Sequence, residues 1–308
     1  MDYSLAQLRI FHKITQTMSI TKAASELHLT QPAVSIQLKK FQEQFQLPLT
    51  EVVGRQLYIT DFGKEIAKNI ETILEGVDAL NFKTDVHEGR LTGKLRISAV
   101  STGKYVIPYF IADFAKTNPA IELFIDVTNK AKVFESLENN EVDFSLVSAK
   151  PDKIHTESIK LMQNKLCLVT NNQLCIKKKM YDYSIFEKHP LIFREQGSAT
   201  RTIMERFIQG QNIRILKKIE LTSNEAVKQA VIAGLGISIM PLIGIKNELS
   251  NKQLQIIPVK NFPIITDWHL IWMRNKRFGP AANAFLSYLK KEKDQIINDK
   301  FDWFAKHR

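Results

Sequence analysis

Apolar residues recur at helical spacing through the first part of the chain and predict three short helices. Leu5, Leu8, Phe11 and Ile14 mark the first, Ala23, Ala24 and Leu27 a second over Thr21–Leu27, and Val34, Leu38, Phe41 and Phe45 a third. The alanines let two helices approach closely, which a tight helix-turn-helix requires. "HLT" makes the turn, Thr30 is placed to cap the third helix, and Pro32 fits a first turn where no N–H partner is needed. In "LPLTEVVGRQLYIT" two short strands flank Gly54 and form a wing with Arg55 at its tip. Residues 62–86 then alternate spacings of 3 and 4 through Phe62, Ile66, Ile70, Ile73, Val77 and Leu80, the pattern of a long amphipathic helix. Gly89 and Gly93 in "HEGRLTGK" read as a hinge.

From residue 94 the period changes. Strand-like runs "LRISAV", "IELFIDV", "DFSLVSA", "NKLCLVT", "LIFRE", "ILKKIEL", "GISIMP" and "WHLIWM" alternate with helices near 104–117, 131–139, 199–209 and 224–233, and residues 280–305 read as helical. Such alternation predicts parallel sheets covered by helices, in two α/β lobes.

In the third helix Ser35, Ile36, Lys39 and Lys40 point away from the apolar stripe. Short polar groups early in a helix, with lysines further on, suit a DNA major groove. The first residues reach base edges, the lysines meet phosphates, and Ile36 is able to meet a thymine methyl. Taken alone, the helix is accounted for equally well by a solvated face with one stray apolar residue. The neighbouring wing favours DNA, because an arginine at its tip can enter the minor groove or grip a phosphate.

Charge is distributed against that picture. The 308 residues carry a net charge of +11, which invites nucleic acid as a partner. Yet residues 1–90 hold 10 Lys and Arg against 11 Asp and Glu, whereas residues 91–308 hold 33 against 21. The DNA-reading segment is near neutral, so the net charge itself does not point to DNA. A hydrophobic content of 44% supports ordinary globular cores. No run of about 18 apolar residues exists, so no membrane span is expected. "MDYSLAQLRIFHKI" lacks a signal-peptide core, so a cytoplasmic location is expected. Cys167 and Cys175 have no partner His or Cys at metal-site spacing, and two reduced thiols are expected rather than a disulfide framework or a zinc site.

Strand ends carry the candidate ligand chemistry. After "LRISAV" come Ser101, Thr102 and Gly103, and Lys104 is expected to open a helix. A helix N-terminus favours an anion, and open α/β sheets gather ligands at the carboxyl ends of strands. "FREQGSATRTIM" supplies Glu195, Ser198, Thr200 and Arg201, and "LTSNEAV" supplies Ser223 and Asn224. Any one of Ser198, Thr200 and Ser223 alone is more simply a helix cap; their joint placement after strands in two lobes favours a ligand. "STGK" lacks the preceding glycine of a P-loop.

"LRIFHKI", "S.TKAASELHLTQPAVSIQLKKF", "GRQLYIT" and Gly63 together make residues 5–63 resemble the winged helix-turn-helix of LysR-type transcriptional regulators, and the later regions fit the same family over nearly the whole chain. The resemblance implies an α+β fold overall. An N-terminal winged helix-turn-helix at 1–60 precedes a linker and dimerisation helix at 61–88 and a two-lobed α/β periplasmic-binding-protein-like effector domain at 89–308. Lobe I spans about 91–161 and 267–308, and lobe II about 162–266. The resemblance carries DNA contact onto Thr30, Gln31, Pro32, Ser35, Gln37 and Arg55; with Thr21, Ile36, Lys39 and Lys40 these complete the expected DNA-binding set. In the cleft between lobes it implies Ser101, Thr102, Lys104, Ser148, Thr200, Arg201 and Asn224 as effector ligands, joined by Gly103, Glu195 and Ser198. "LRISAVSTGKYVIP" is most similar to the branch controlling carbon-fixation operons, whose effectors are phosphorylated or anionic metabolites. Two departures stand out: Thr50 where the family usually has Phe, and Val52 where it usually has Arg. The wing is therefore expected to pack less tightly and to lack one phosphate contact.

The expected function is a DNA-binding transcriptional regulator whose grip on double-stranded promoter DNA answers to a small anionic metabolite. It would act as a homodimer or homotetramer, with RNA polymerase as a further partner and no membrane. No Ser/His/Asp set, carboxylate pair or metal cluster is apparent, so no enzymatic activity, cofactor or metal is expected. Two alternatives remain: an enzyme processing a small anion in the α/β cleft, and an effector-independent DNA binder, which would not need residues 91–308. The tail "KKEKDQIINDKFDWFAKHR" runs past the usual family end, and its Ile296, Ile297, Phe301 and Phe304 suit docking on the sensor or on a neighbour.

Overall fold

A computed structural model describes residues 3–54, 56–87, 91–151 and 153–306. The chain divides into two units, Met1–Arg90 and Leu91–Arg308.

In the first unit α1 (Leu5–Thr17), α2 (Ile20–Glu26) and α3 (Gln31–Gln42) precede β1 (Thr50–Val53), β2 (Gln56–Ile59) and α4 (Asp61–His87). A capping box starts α1: the Gln7 N–H donates to Ser4 Oγ at 3.3 Å, and the Ser4 N–H donates to Gln7 Oε1 at 2.8 Å. Leu8, Ile10, Phe11, Ile14, Ala23, Ala24, Val34, Leu38 and Phe41 form the core. Leu5, expected inward, is exposed. A strict spacing of three drifts by about 60° per step on a 3.6-residue helix, so three steps carry Leu5 to the side opposite Ile14. Phe45 lies past the end of α3 yet still packs, with its ring centre 5.1 Å from Phe41 and 6.0 Å from Phe62.

The wing is an antiparallel pair with Val53 opposite Gln56, turned by Gly54 at φ +57°, a left-handed conformation that glycine adopts without strain. Arg55 lies outside the described residues. Thr50 is half-buried and its hydroxyl donates to Gln42 Oε1 at 2.8 Å, so a polar link ties the wing to α3 where an aromatic anchor is usual. A side chain at Gly63 would strike the Leu49 carbonyl, which holds the start of α4 close against the chain entering the wing. Along α4 the apolar stripe divides. Ile70 is buried in the unit's own core with Ile66 packed against it, whereas Ile73 and Leu80 are exposed.

The second unit begins with β3 (Gly93–Val100), a 3-10 turn at Ser101–Tyr105, α5 (Ile107–Thr117), β4 (Ile121–Thr128), α6 (Lys130–Glu138), β5 (Phe144–Val147) and β6 (Thr156–Asn171). It continues with α7 (Ile185–Lys188), β7 (Leu191–Arg194), α8 (Ala199–Gly210), β8 (Lys218–Leu221), α9 (Asn224–Ile232) and β9 (Ile237–Pro241). A 3-10 turn at Leu242–Gly244, α10 (Lys246–Ser250), β10 (Leu254–Ile256), β11 (Ile264–Met273) and α11 (Pro280–Lys306) complete it. Strand order is β4-β3-β5-β11-β6-β9-β7-β8, with β10 on β6. The triplets β4-β3-β5 and β9-β7-β8 are parallel, one for each lobe. Between them β11 and β6 run antiparallel to each other and join the lobes; Trp268 faces Met162 while His269 faces Lys160, so Leu161 is the extra residue of a bulge at the crossing.

Lys104 does not open an α-helix, as the sequence suggests. It lies in the 3-10 turn, and α5 starts at Ile107. Pro108 is the cause: its missing N–H and its ring leave no place for an α-helical bond to the Lys104 carbonyl, so the helix can begin only beyond that residue. The first half of β6, with its mixed polar sequence, also escaped the apolar pattern.

Candidate functional site

The residues expected to face DNA lie on α2, α3 and the wing, Arg55 among them falling outside the described residues. Thr30 caps α3, its Oγ1 accepting from the Ala33 N–H at 3.4 Å, and Pro32 occupies the first turn. Thr21, Thr30, Gln31, Pro32, Ile36, Lys39 and Lys40 are exposed, while Ser35 and Gln37 are half-buried. Pro32, Ile36, Lys39 and Lys40 thus share the outer side of α3, opposite Val34, Leu38 and Phe41, while Gln31, Ser35 and Gln37 flank the buried stripe. Val52 and Val53 of the wing are exposed as well.

In the second unit a narrow cleft opens between the lobes. One wall is Val100, Ser101, Thr102, Asn129 and Lys130; the other is Arg194, Ser198, Ala199 and Thr200. The walls are the ends of β3, β4 and β7 and the starts of α6 and α8, which is where an open parallel sheet offers free backbone donors. Its cavity volume is about 10 Å³, room for roughly one water.

Each wall is built for polar contact. Ser101 Oγ donates to the Thr128 carbonyl at 3.2 Å, and Thr102 is buried behind it. Gly103 sits beneath the wall rather than in it, because a side chain there would lie 3.1 Å from both Ala99 and Leu146. Across the cleft Ser198 holds the N-cap position of α8 but makes no capping bond with its hydroxyl. The first-turn N–H groups of α8 therefore keep their donors for another acceptor. Arg194 is buried at the end of β7 and bound by both Glu195 oxygens, at 2.7 and 2.8 Å.

The remaining expected effector residues sit elsewhere. Arg201 turns away from the cleft: its Nε donates to Glu205 at 2.7 Å, and its Nη1 donates to Glu220 at 2.7 Å and to the Arg194 carbonyl at 3.0 Å. Burial pulls its pKa down most strongly, but the bonds to Glu205 and Glu220 outweigh it and hold the guanidinium firmly charged. Glu195 is committed to Arg194. Lys104 is exposed with its ammonium 5.0 Å from the Tyr105 ring centre. It also adds to the Gln229 and Lys228 hydrogen bonds that hold the Glu225 carboxyl below its ordinary range. Ser148 is buried past the end of β5 without lining the cleft. Asn224, the first residue of α9, is buried, and its Nδ2 has no hydrogen-bond partner among the described residues. Ser223 caps α9 through the Ala226 N–H at 3.0 Å.

Ser101, Thr102, Ser198 and Thr200 are thus brought together from the expected set. Asn129, Lys130 and Arg194 were missed, although each follows or ends a strand and the rule that found Ser101 would have found them. A wider, open depression over Lys150, Ile154, His155, Glu157 and Arg274 contains none of the expected residues. Among the described residues no His/Cys/Asp/Glu group is arranged to hold a metal ion, and no helix is long and apolar enough to cross a membrane.

Residues 88–294 match the family model described as "LysR substrate binding domain", and residues 5–64 match "Bacterial regulatory helix-turn-helix protein, lysR family". The chain is 33% identical over 287 residues to the HTH-type transcriptional activator CmpR of Synechocystis, covering 93% of this chain and 94% of that one. It is 34% identical over 293 residues to the RuBisCO operon transcriptional regulator of Allochromatium vinosum, covering 95% and 97%. Among solved structures, the Synechocystis CcmR regulatory domain in complex with 2-PG superposes with a TM-score of 0.61 at 29% identity, over 64% of this chain and 96% of that one. Full-length OxyR of Pseudomonas aeruginosa superposes with a TM-score of 0.72 at 18% identity over 96% of this chain and 95% of that one, a likeness of fold.

Proposed function

This chain belongs to the LysR family of bacterial transcriptional regulators, and from that premise we propose that α3 enters the major groove of promoter DNA while a small anionic metabolite between the lobes governs its grip. The DNA-binding set is Thr21, Thr30, Gln31, Pro32, Ser35, Ile36, Gln37, Lys39 and Lys40, with Arg55 from the wing. Residues 1–60 are the reader, 61–88 the linker helix, and 89–308 the effector domain with its lobes divided near 161 and 266. The assembly is a cytoplasmic homodimer or homotetramer that works with RNA polymerase.

The observation that carries the effector half is the meeting of Ser101, Thr102, Arg194, Ser198 and Thr200 in one cleft. A phosphate or carboxylate there accepts from the Thr102, Ser198 and Thr200 hydroxyls and from the first-turn N–H groups of α8, and Lys130 on the facing wall supplies a cation, Arg194 being neutralised by Glu195. The complex of the CcmR regulatory domain with 2-PG supports a small phosphorylated acid as the effector class. A cleft with room for one water requires the lobes to part before such a ligand enters. The crossing strands β6 and β11, with their bulge at Leu161, are placed to absorb that motion. An effector that favours one lobe arrangement shifts the population toward it, and with it the disposition of the DNA readers.

Footprinting of the upstream region of the gene with the full chain, with and without 2-PG, tests both halves. The expected result is a protected site whose extent or affinity changes with 2-PG. Protection blind to every small anion would leave a DNA binder without an effector, and turnover of a small anion without protection would make the cleft an enzyme site.

A further inference from the structure

We infer that Ile36 reads thymine, its side chain packing on the C5 methyl group of the base and so setting operator preference. The inference rests on the reading of α3 as the helix that enters DNA. Ile36 is 54% exposed in the middle of α3, while Val34, Leu38 and Phe41 of the same helix are buried. It stands outside the apolar cluster that holds the first unit, so folding gains little from it. Pro32, one turn earlier, is exposed on the same side; Lys39 and Lys40, one turn later, are exposed too. From first turn to last this side is apolar and then cationic.

Lysines at the end of such a side reach backbone phosphates, which carry no sequence information. Ile36 can neither donate nor accept a hydrogen bond. Set against the N7, O6 or exocyclic amine of a base it would strip water from a polar edge and give nothing back, an unfavourable exchange. The thymine methyl is the apolar group that a major groove offers, and burying it on Ile36 is favourable for both partners. With 10 Lys and Arg against 11 Asp and Glu in residues 1–90, base-edge contacts carry more of the affinity than in a strongly basic reader.

The wild-type full chain first selects duplexes from a random-sequence pool. The selected duplex is then remade with deoxyuridine for thymidine, which removes the methyl and keeps every hydrogen-bonding group. Wild type should bind the thymine duplex more tightly by about fourfold per half-site, the factor that burying one methyl group supplies. Ile36→Ala should bring that ratio to about one, and Ile36→Val should keep most of it. A wild-type ratio near one, or an unchanged ratio in Ile36→Ala, overturns the inference while DNA binding itself stands. A chain that selects no duplex overturns the reading of α3 beneath it.

Discussion

Lys165 Nζ donates to the Phe304 carbonyl at 3.0 Å and lies 5.1 Å from the centre of the same residue's ring. A buried ammonium thus meets the negative end of α11, where last-turn carbonyls lack helical partners. One turn back, Phe301 packs at 5.2 and 5.8 Å from Tyr109 and Phe110. The tail, which continues past the family match ending at residue 294, is therefore docked on its own sensor unit. Phe301→Ala should cost about 3–5 kcal/mol of stability, the range for emptying a buried aromatic site. Denaturant unfolding of the full chain measures it, and a loss below about 1 kcal/mol would mean that the tail is only loosely held.

The salt dependence of DNA binding should be shallow for a regulator, since the reader unit carries few cations. Lys39→Ala should remove about 0.9 from the slope of log K against log salt for each phosphate that the lysine neutralises. Titrations at several salt concentrations show it; a slope unmoved by the change would place Lys39 away from phosphate.

Thr102→Ala and Thr200→Ala should each weaken 2-PG binding by about tenfold or more, the usual weight of a hydrogen bond to a charged group. Arg274→Gln, in the separate depression, should leave it unaltered. Calorimetry on the full chain separates the two sites, and equal losses from all three variants would displace the effector from the cleft.

Ile73→Asp should lower the oligomeric state seen by light scattering, because Ile73 is exposed on α4. Ile70 is unsuitable for this test: it is buried in the first unit's own core, so a charge there would unfold the unit. Unchanged oligomers in Ile73→Asp would assign assembly to another surface.

Burial pushes the Cys167 thiol up to about 12, against a smaller opposing pull from Lys165. Thiolate is the reactive form, so Cys167 should resist alkylation at pH 8 while exposed Cys175 reacts. Mass spectrometry should show one modified cysteine in the native chain and two after denaturation. The sign for stability follows from the raised folded-state value. The contribution is fully present below the ordinary thiol range and fades as pH climbs toward 12.

Much of this was legible along the chain. Periodicity, the Thr30 cap and the Pro32 first turn located α3 and its outward side, because each depends on neighbours within one or two turns. The strand-end rule found Ser101, Thr102, Ser198 and Thr200 on the same local grounds. Leu5 and Lys104 were misplaced where local pattern meets a further constraint: accumulated helical drift for the one and the demand of Pro108 for the other.

Tertiary structure alone decided which strand ends meet in the cleft. Sheet order sets the ends of β3 and β4 against the end of β7, residues far apart in sequence, and so recruits Asn129, Lys130 and Arg194. The same packing diverts Arg201, because a buried guanidinium must find carboxylates and Glu205 and Glu220 are within reach. Which strand ends face one another is a property of long-range pairing, and no local pattern encodes it.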